Sequence, residues 1–131
     1  MGIALLDTSI VIGALNRDDA LHGAASEAVR VERDRHTLAI STLTYAEILV
    51  GPLRVGGSAV DVAERFAAQL RIVDVSPDVA RLAAELRARR GLKLPDAVIV
   101  ATGMRLDADV IVTADARWKG IERVLVVEGR R

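Results

Sequence analysis

The 131-residue sequence contains no cysteine, two histidines and only three aromatic residues. Without cysteine it can form neither disulfide bonds nor thiolate zinc sites, and a cytoplasmic location is the expectation. Two histidines leave little material for a histidine-rich metal site or a Ser-His-Asp triad. Aromatic residues make up 2% of the chain, so we expect no platform on which nucleic-acid bases stack.

Long apolar runs and a net charge are also missing. No apolar run approaches the roughly 20 residues of a membrane-spanning helix, and no basic region precedes an apolar one at the N-terminus, so neither a membrane span nor a signal peptide is expected. Lys and Arg number 18 and so do Asp and Glu, which argues against an overall basic nucleic-acid binder. If a cation held four of the 18 acids, 14 would remain against 18 basic groups, and the surface elsewhere would be basic.

What the chain does contain is an alternation of short buried strands and helices. Hydrophobic residues make up 51% of the sequence, which excludes disorder, and the length fits one domain over residues 1–131. Apolar runs at residues 3–6, 38–40, 71–75, 110–113 and 123–127 are typical of strands, and helical patterns separate most of them. This order predicts a three-layer α/β/α domain with a mostly parallel central sheet.

Three aspartates stand at the ends of predicted buried elements. Asp7 directly follows the first strand, Asp115 lies just past the fourth, and Asp96 lies in the first turn of an apolar helix that Pro95 begins. In parallel sheets, ligands bind in the crevice beyond the carboxyl ends of the strands. Asp7 by itself could equally be the N-cap of the next helix.

A fourth acid, Glu47, lies within the helix that follows the second strand. Its spacing from Leu43 and Val50 places it on the apolar stripe of that helix. Because a buried, unpaired carboxylate is costly, Glu47 needs a partner. One possibility is a structural salt bridge to an arginine; a cation shared with the other acids fits their positions better.

Four carboxylates in one cleft repel each other, and some would take up protons unless a divalent cation neutralises them. A ligand set of oxygen atoms without Cys or His indicates Mg²⁺ or Mn²⁺ rather than zinc. Such a cation lowers the pKa of a bound water and stabilises charge on a phosphoryl group. A carboxylate that does not bind the metal could orient or deprotonate that water.

Four segments, LLDTS, TYAEIL, LPDAVIVATG and ADVIVTAD, occur in this order over nearly the whole chain. In them the sequence resembles the PIN domain, and within that family the VapC-type toxins of bacterial toxin–antitoxin pairs. The resemblance implies a divalent-metal-dependent endoribonuclease with the acidic quartet Asp7, Glu47, Asp96 and Asp115. It implies Mg²⁺ as the cofactor, with Mn²⁺ as a possible substitute, held by the three aspartates.

The same resemblance places Ser9 and Thr113 near the site as supporting polar residues. Trp118 stands where the family more often has phenylalanine, which keeps an aromatic packing role. The implied partners are an RNA substrate, a cognate antitoxin protein and a second copy of the chain in a homodimer.

Basic residues cluster shortly before Asp96. Arg87, Arg89 and Arg90 end the preceding predicted helix, and Lys93 lies just beyond it. Cations stabilise a helix C-terminus in any case. Their closeness in sequence to Asp96 makes the four residues candidates for contacts with the RNA backbone.

An antitoxin is expected to bury an amphipathic helix on the apolar helical surface near Tyr45, Leu49 and Leu53. It could also insert an arginine to pair with the cleft carboxylates.

Two other functions remain open. A catalytically silent PIN-like protein would act only by binding a partner. A receiver-like, phosphate-handling signalling domain also clusters acids at strand ends, but it would need an acidic pair after the first strand and a nearby buried lysine. Here Asp7 is followed by Thr8, and no lysine lies at a strand terminus.

Overall fold

The computed structural model describes residues 2–129. Five strands form one sheet in the order β3-β2-β1-β4-β5, and each neighbouring pair is parallel. The strands are β1 (Ile3–Leu6), β2 (Thr37–Ser41), β3 (Arg71–Val73), β4 (Val110–Thr113) and β5 (Val124–Val126). The predicted parallel α/β sheet is confirmed. The predicted domain over residues 1–131 also includes Met1, Arg130 and Arg131, which lie outside the described residues.

Two strands are shorter than the sequence indicates. β5 begins at Val124 because Arg123 has a φ of 67°, a left-handed conformation that does not continue a strand. β3 ends at Val73, and the chain then runs in irregular backbone to Ser76, which caps the next helix by accepting a hydrogen bond from the Val79 N–H at 3.2 Å.

Six helices connect the strands: α1 (Thr8–Leu15), α2 (His22–Arg35), α3 (Thr42–Val55), α4 (Ala59–Ala67), α5 (Pro77–Arg90) and α6 (Leu94–Arg105). A single 3₁₀ turn covers Ala116–Trp118. Glycine ends α5 as expected, because Gly91 takes a left-handed φ of 72° and its N–H caps the Arg87 carbonyl. Across residues 2–129, every helix is too short or too polar to cross a bilayer.

The core consists of two hydrophobic clusters, one on each face of the sheet. Leu6, Ile40 and Val112 point to the cluster covered by α1 to α4, whereas their neighbours Leu5 and Ala39 point to the cluster covered by α5 and α6. Alternate residues of a strand face opposite sides, so both faces are apolar and both need a helical cover. The predicted three layers are confirmed.

The fit between α6 and β4 depends on a glycine. A Cβ added at Gly103 would lie 2.5 Å from Cδ1 and 2.7 Å from Cγ1 of Ile111. The missing side chain therefore lets the helix approach the strand closely. This contact fixes the start of α6, with Asp96, relative to the end of β4.

The strand order excludes one of the alternatives. Receiver-like domains have the strand order 2-1-3-4-5. The order here is 3-2-1-4-5. From the central strand β1, the sheet extends through β2 to β3 on one side and through β4 to β5 on the other.

Candidate active site

The switch point of the sheet lies between β1 and β4, where the two directions of chain winding diverge. Leu6 is in register with Val112, and the Asp7 N–H donates to the Val112 carbonyl at 2.8 Å. The two strands therefore end side by side, with Asp7 after one and Asp115 shortly after the other. This is the position at which open α/β sheets bind ligands.

Asp7 is buried, and both oxygens of its carboxylate accept hydrogen bonds. Its Oδ1 accepts from the Thr8 N–H at 2.8 Å, and its Oδ2 accepts from the hydroxyls of Ser9 and Thr113, each at 2.8 Å. It is also the N-cap of α1, so the structural interpretation of this residue is confirmed, and the functional one stays a prediction. Burial is the largest influence on its pKa, and the pKa is raised although the three hydrogen bonds lower it.

Besides their hydrogen bonds to Asp7, Ser9 and Thr113 also bind backbone N–H groups. The Thr113 hydroxyl accepts from the Asp115 N–H at 3.0 Å, and the Ser9 hydroxyl accepts from the Ala114 N–H at 3.2 Å. Both side chains thus connect the first aspartate to the backbone that carries the last one. The structure places them beside the predicted site, where they fix the relative positions of two quartet members.

Glu47 is held by hydroxyl groups. The Thr8 hydroxyl lies 2.7 Å from Glu47 Oε1 and 3.0 Å from the Thr44 hydroxyl. A hydroxyl has one proton to donate, and the carboxylate is the stronger acceptor. Thr8 therefore donates to Glu47, and the buried Thr44 donates to Thr8. The sequence reasoning missed both threonines; the position of Thr8 beside Asp7 was the available signal.

The predicted stripe on α3 is offset from the observed buried face. Thr44 and Ile48 are the buried residues of this helix, and Val50 is 46% exposed. Glu47 is therefore half-buried at the border of the inward face, where it reaches Thr8. Among residues 2–129 it makes no ion pair, so the alternative of a structural salt bridge to an arginine gains no support.

Asp96 lies in the first turn of α6, with 26% of its side chain exposed. Its pKa is raised, first by burial and then by the negative charges of Asp7 and Asp115, while Arg117 and Lys93 lower it. The structure therefore brings three predicted aspartates within electrostatic reach of one another. Glu47 joins them because its charge raises the pKa of Asp7.

Asp115 begins the 3₁₀ turn and pairs with an arginine that the sequence reasoning did not single out. Its Oδ1 accepts from the Arg117 N–H at 2.9 Å and from Nε at 3.0 Å, and its Oδ2 accepts from Nη2 at 2.6 Å. These hydrogen bonds are the largest cause of the lowered pKa of Asp115. The same Nη2 lies 4.0 Å from Oδ2 of Asp96.

The donors in this cleft are chemically suited to Mg²⁺ because they are all carboxylate and hydroxyl oxygens. Their present arrangement is not closed around a metal. Within residues 2–129, no group of three or more His, Asp or Glu side chains is arranged so that it could hold a metal ion. The guanidinium of Arg117 provides the positive charge between Asp96 and Asp115. The cleft thus offers the oxygen donors that a divalent cation takes, and the positive charge that the structure places among them is that of Arg117.

The four predicted RNA contacts differ in their surroundings. Arg87 donates to the Leu92 carbonyl at 3.2 Å and so helps to close the end of α5. Arg89 and Arg90 are exposed. Lys93 is exposed too, and its charge lowers the pKa of both Asp96 and Asp115. Lys93 is thus the residue of the four whose charge acts on the cleft, and a role in RNA binding remains a prediction for all four.

An apolar groove of about 460 Å³ runs between α1, α3 and α4 and reaches Glu47. Its apolar lining includes Ile12, Leu15, Ile48, Pro52, Val55 and Val62. The surface predicted for an antitoxin lies beside this groove. Tyr45 and Leu49 pack against the core, and only Leu53, at 65%, is widely exposed.

The fold and the site together define an α/β domain with an acidic cleft at the switch point of a parallel sheet. The PIN domain matches residues 4–124, and the chain belongs to this family. No curated protein sequence matches the chain.

Solved structures share the fold over nearly the full chain. A chain of a toxin–antitoxin complex from Klebsiella pneumoniae is 28% identical, with a TM-score of 0.81, over 94% of this chain and 96% of that one. A chain of VapBC2 from Rickettsia felis, bound to a DNA fragment from its promoter, is 22% identical, with a TM-score of 0.77, over 98% and 99%. VapC20 of Mycobacterium tuberculosis, a toxin that cleaves the sarcin–ricin loop, is 22% identical, with a TM-score of 0.74, over 95% and 98%.

Proposed function

We propose that this protein is a Mg²⁺-dependent endoribonuclease and the toxin of a toxin–antitoxin pair. The observation that carries the proposal is the convergence of Asp7, Asp96 and Asp115 at the switch point of the sheet, where burial and then the charges of Asp7 and Asp115 raise the pKa of Asp96. Membership of the PIN domain family supports nuclease chemistry. Likeness to a toxin–antitoxin complex and to a toxin that cleaves RNA supports the biological role.

The quartet divides into two roles. Asp7, Asp96 and Asp115 would hold Mg²⁺, or Mn²⁺ in its place, which when bound stabilises charge on the phosphoryl group and lowers the pKa of the attacking water. Glu47 is the carboxylate left to orient that water and to accept its proton. The water oxygen bonds to phosphorus as a ribose oxygen departs, and that oxygen takes up a proton.

The hydroxyl groups around the cleft keep the carboxylates in position. Ser9 and Thr113 hold Asp7 in one orientation, and Thr8 holds Glu47. Fixed acceptors of this kind reduce the reorganisation that catalysis requires.

The substrate we propose is single-stranded or looped RNA. Trp118 is buried in the core, and Tyr45 and Phe66 pack against the core, so base stacking is not the expected mode of recognition. Binding would rest on RNA shape and on backbone contacts. Lys93 is the first candidate for such a contact, followed by Arg87, Arg89 and Arg90.

The antitoxin would bury an amphipathic helix in the groove between α1, α3 and α4. The groove is largely apolar, and it reaches Glu47, so a chain bound there would continue towards the cleft. An arginine of the antitoxin could then pair with the carboxylates. A homodimer remains part of the proposal because the PIN resemblance implies it.

A cleavage assay tests the proposal. A looped RNA should be cut by the purified protein in Mg²⁺ or Mn²⁺, and EDTA should stop the reaction. Asp96→Asn should abolish cutting. The control Asp18→Asn, which removes an exposed charge from a loop, should leave the rate unchanged. Cleavage that survives exhaustive chelation, or that depends on zinc, contradicts the proposal.

A catalytically silent, partner-binding protein is the second candidate. One observation favours it: the pairing of Arg117 with Asp115 and its approach to Asp96 in place of a closed metal-binding group. Such a protein would bind an antitoxin without cutting RNA under any metal condition. The same cleavage assay, repeated with Arg117→Met, separates the two candidates.

A further inference from the structure

Arg117 is a surface side chain that reaches into the acidic cleft. Its guanidinium makes two hydrogen bonds of 3.1 Å or shorter to Oδ2 of Asp115, a third to Oδ1 at 3.0 Å, and comes within 4.0 Å of Oδ2 of Asp96. Its side chain is nevertheless 66% exposed. Because most of this side chain is exposed, a change of its rotamer takes it out of the cleft without any movement of the fold.

The geometry puts Arg117 in competition with a metal ion. It engages both oxygens of Asp115, and it lies beside an oxygen of Asp96. A cation bound to Asp115 needs the lone pairs that accept hydrogen bonds from Arg117, and a cation beside Asp96 would repel the guanidinium. Only one of the two positive charges can occupy this position at a time.

A second arginine on the surface makes a similar ion pair away from the cleft. Arg30 is 62% exposed and lies 2.6 Å from Glu27 and 3.8 Å from Asp34. Both partners are exposed residues of α2. Arg30 is therefore a matched control for exposure, pairing distance and charge.

We propose that Arg117 is a built-in counter-ion of the cleft, which a divalent cation must displace before it binds Asp96 and Asp115. This inference rests on the proposed function because it takes the cleft to be the metal site. Without metal, the guanidinium relieves the repulsion among the carboxylates. With metal, it is released near the cleft mouth. Arg117 thereby sets the metal concentration at which the site fills.

Mn²⁺ binding, followed by electron paramagnetic resonance of the free ion, tests the inference without an activity readout. Arg117→Met keeps much of the aliphatic stem and removes the charge. It should bind Mn²⁺ about 5- to 10-fold more tightly than wild type, as expected for the loss of a competing bidentate pair at an exposed site. Arg117→Lys keeps the positive charge but loses the bidentate geometry of the guanidinium. Its Mn²⁺ affinity should lie between those of wild type and Arg117→Met. Arg30→Met should match wild type.

A second measurement observes the displacement itself. The Nε–H signal of Arg117 in ¹H–¹⁵N spectra is assigned by its absence from Arg117→Lys. Addition of Mg²⁺ should move it to the position of an unpaired arginine, with the midpoint found for metal binding. The Arg30 signal should stay in place.

The outcomes separate the inference from the proposed function. Equal Mn²⁺ affinity of wild type and Arg117→Met, or an Arg117 signal that stays unmoved at saturating Mg²⁺, overturns the counter-ion role and leaves the metal site standing. Binding by Arg117→Met but not by wild type supports the inference in its strongest form. Failure of every folded variant, including Arg117→Met, to bind either ion overturns both.

Discussion

At the scale of single residues, hydroxyl groups determine where the carboxylates of the cleft lie. Four hydroxyl side chains, Thr8, Ser9, Thr44 and Thr113, connect Asp7 and Glu47 to their surroundings. Such bonds to a charged group are stronger than those between neutral groups. Substitutions of the hydroxyls should therefore affect catalysis without removing any acid.

Replacement of Thr8 by valine tests its role as a positioning residue. Valine has the same shape but cannot donate the 2.7 Å hydrogen bond to Glu47. We expect kcat for RNA cleavage to fall by roughly 10- to 100-fold, less than for the loss of a general base itself because Glu47 remains, with little change in KM. Thr8→Ser should restore most of the rate. A proportional rise in KM, or no rescue by serine, would indicate a purely structural role.

Asp96 provides a test of charge repulsion through its pH dependence. Its folded-state pKa is raised, so its ionisation costs stability as the pH rises through that pKa, and the cost vanishes below the unfolded value of about 3.9. Without metal, Asp96→Asn should therefore raise Tm at pH 7 by roughly 1 to 3 °C, and this gain should disappear towards pH 4.

Thermal melts of the metal-free proteins between pH 4 and pH 7 measure this difference in Tm. Asp18→Asn is the control, and its Tm should differ from that of wild type by the same small amount at every pH. Saturating Mg²⁺ should reverse the order at pH 7, because only wild type then gains stability from binding. A lower Tm of Asp96→Asn at pH 7 without metal would mean that Asp96 is held mainly by favourable contacts.

At the scale of elements, the close packing of α6 on β4 brings Asp96 to the cleft. The contact depends on Gly103, where an added Cβ would meet two atoms of Ile111. Because Ile111 is buried, its side chain cannot move aside into solvent. The position of Asp96, a proposed metal ligand, thus depends on a glycine two turns further along the same helix.

Gly103→Ala should destabilise the protein by about 1 to 3 kcal/mol, the usual cost of overpacking, despite the better helix propensity of alanine. Ile111→Val removes the atom that clashes most, so the double variant should lose less than the two single losses added together. Gly23→Ala in α2, where an added Cβ has no other neighbour within 4 Å, should stabilise by up to about 1 kcal/mol. Urea denaturation of wild type and these four variants measures the differences, and strictly additive losses in the double variant would contradict the contact.

At the scale of the whole molecule, the apolar groove and the acidic cleft are neighbouring surfaces. Glu47 lies at the end of the groove and also belongs to the quartet. A partner bound in the groove is therefore placed to block the cleft. The groove itself carries none of the three aspartates, so partner binding and catalysis should be separable by substitution.

Val62→Glu places a charge in the groove at a residue that is 50% exposed. It should weaken binding of the cognate antitoxin at least 10-fold, since burial of an unpaired charge is costly, while RNA cleavage continues. Leu53→Glu lies on the surface that the sequence indicated and should leave binding unchanged. Pull-down and titration with a cognate antitoxin decide between them. Weaker binding by Leu53→Glu together with normal binding by Val62→Glu would instead indicate that the antitoxin binds the surface near Leu53.

The sequence by itself determined the layers of the fold and the identity of the acids. Apolar runs of strand length alternate with helical patterns, and this local periodicity is enough to predict a parallel α/β sheet. The acids could be found because each one interrupts or ends an apolar segment, a conflict with burial that is visible in the sequence.

Only the tertiary structure decided which side chains meet. The pairing of β1 with β4 joins residues about a hundred positions apart and brings Thr113 to Asp7. Helical periodicity alone put the inward face of α3 one residue away from its actual position, because packing against α1 and the sheet sets the rotation of a helix. The role of Arg117 was invisible for the same reason: an arginine two residues after an aspartate gives no local signal until α6 brings Asp96 beside both.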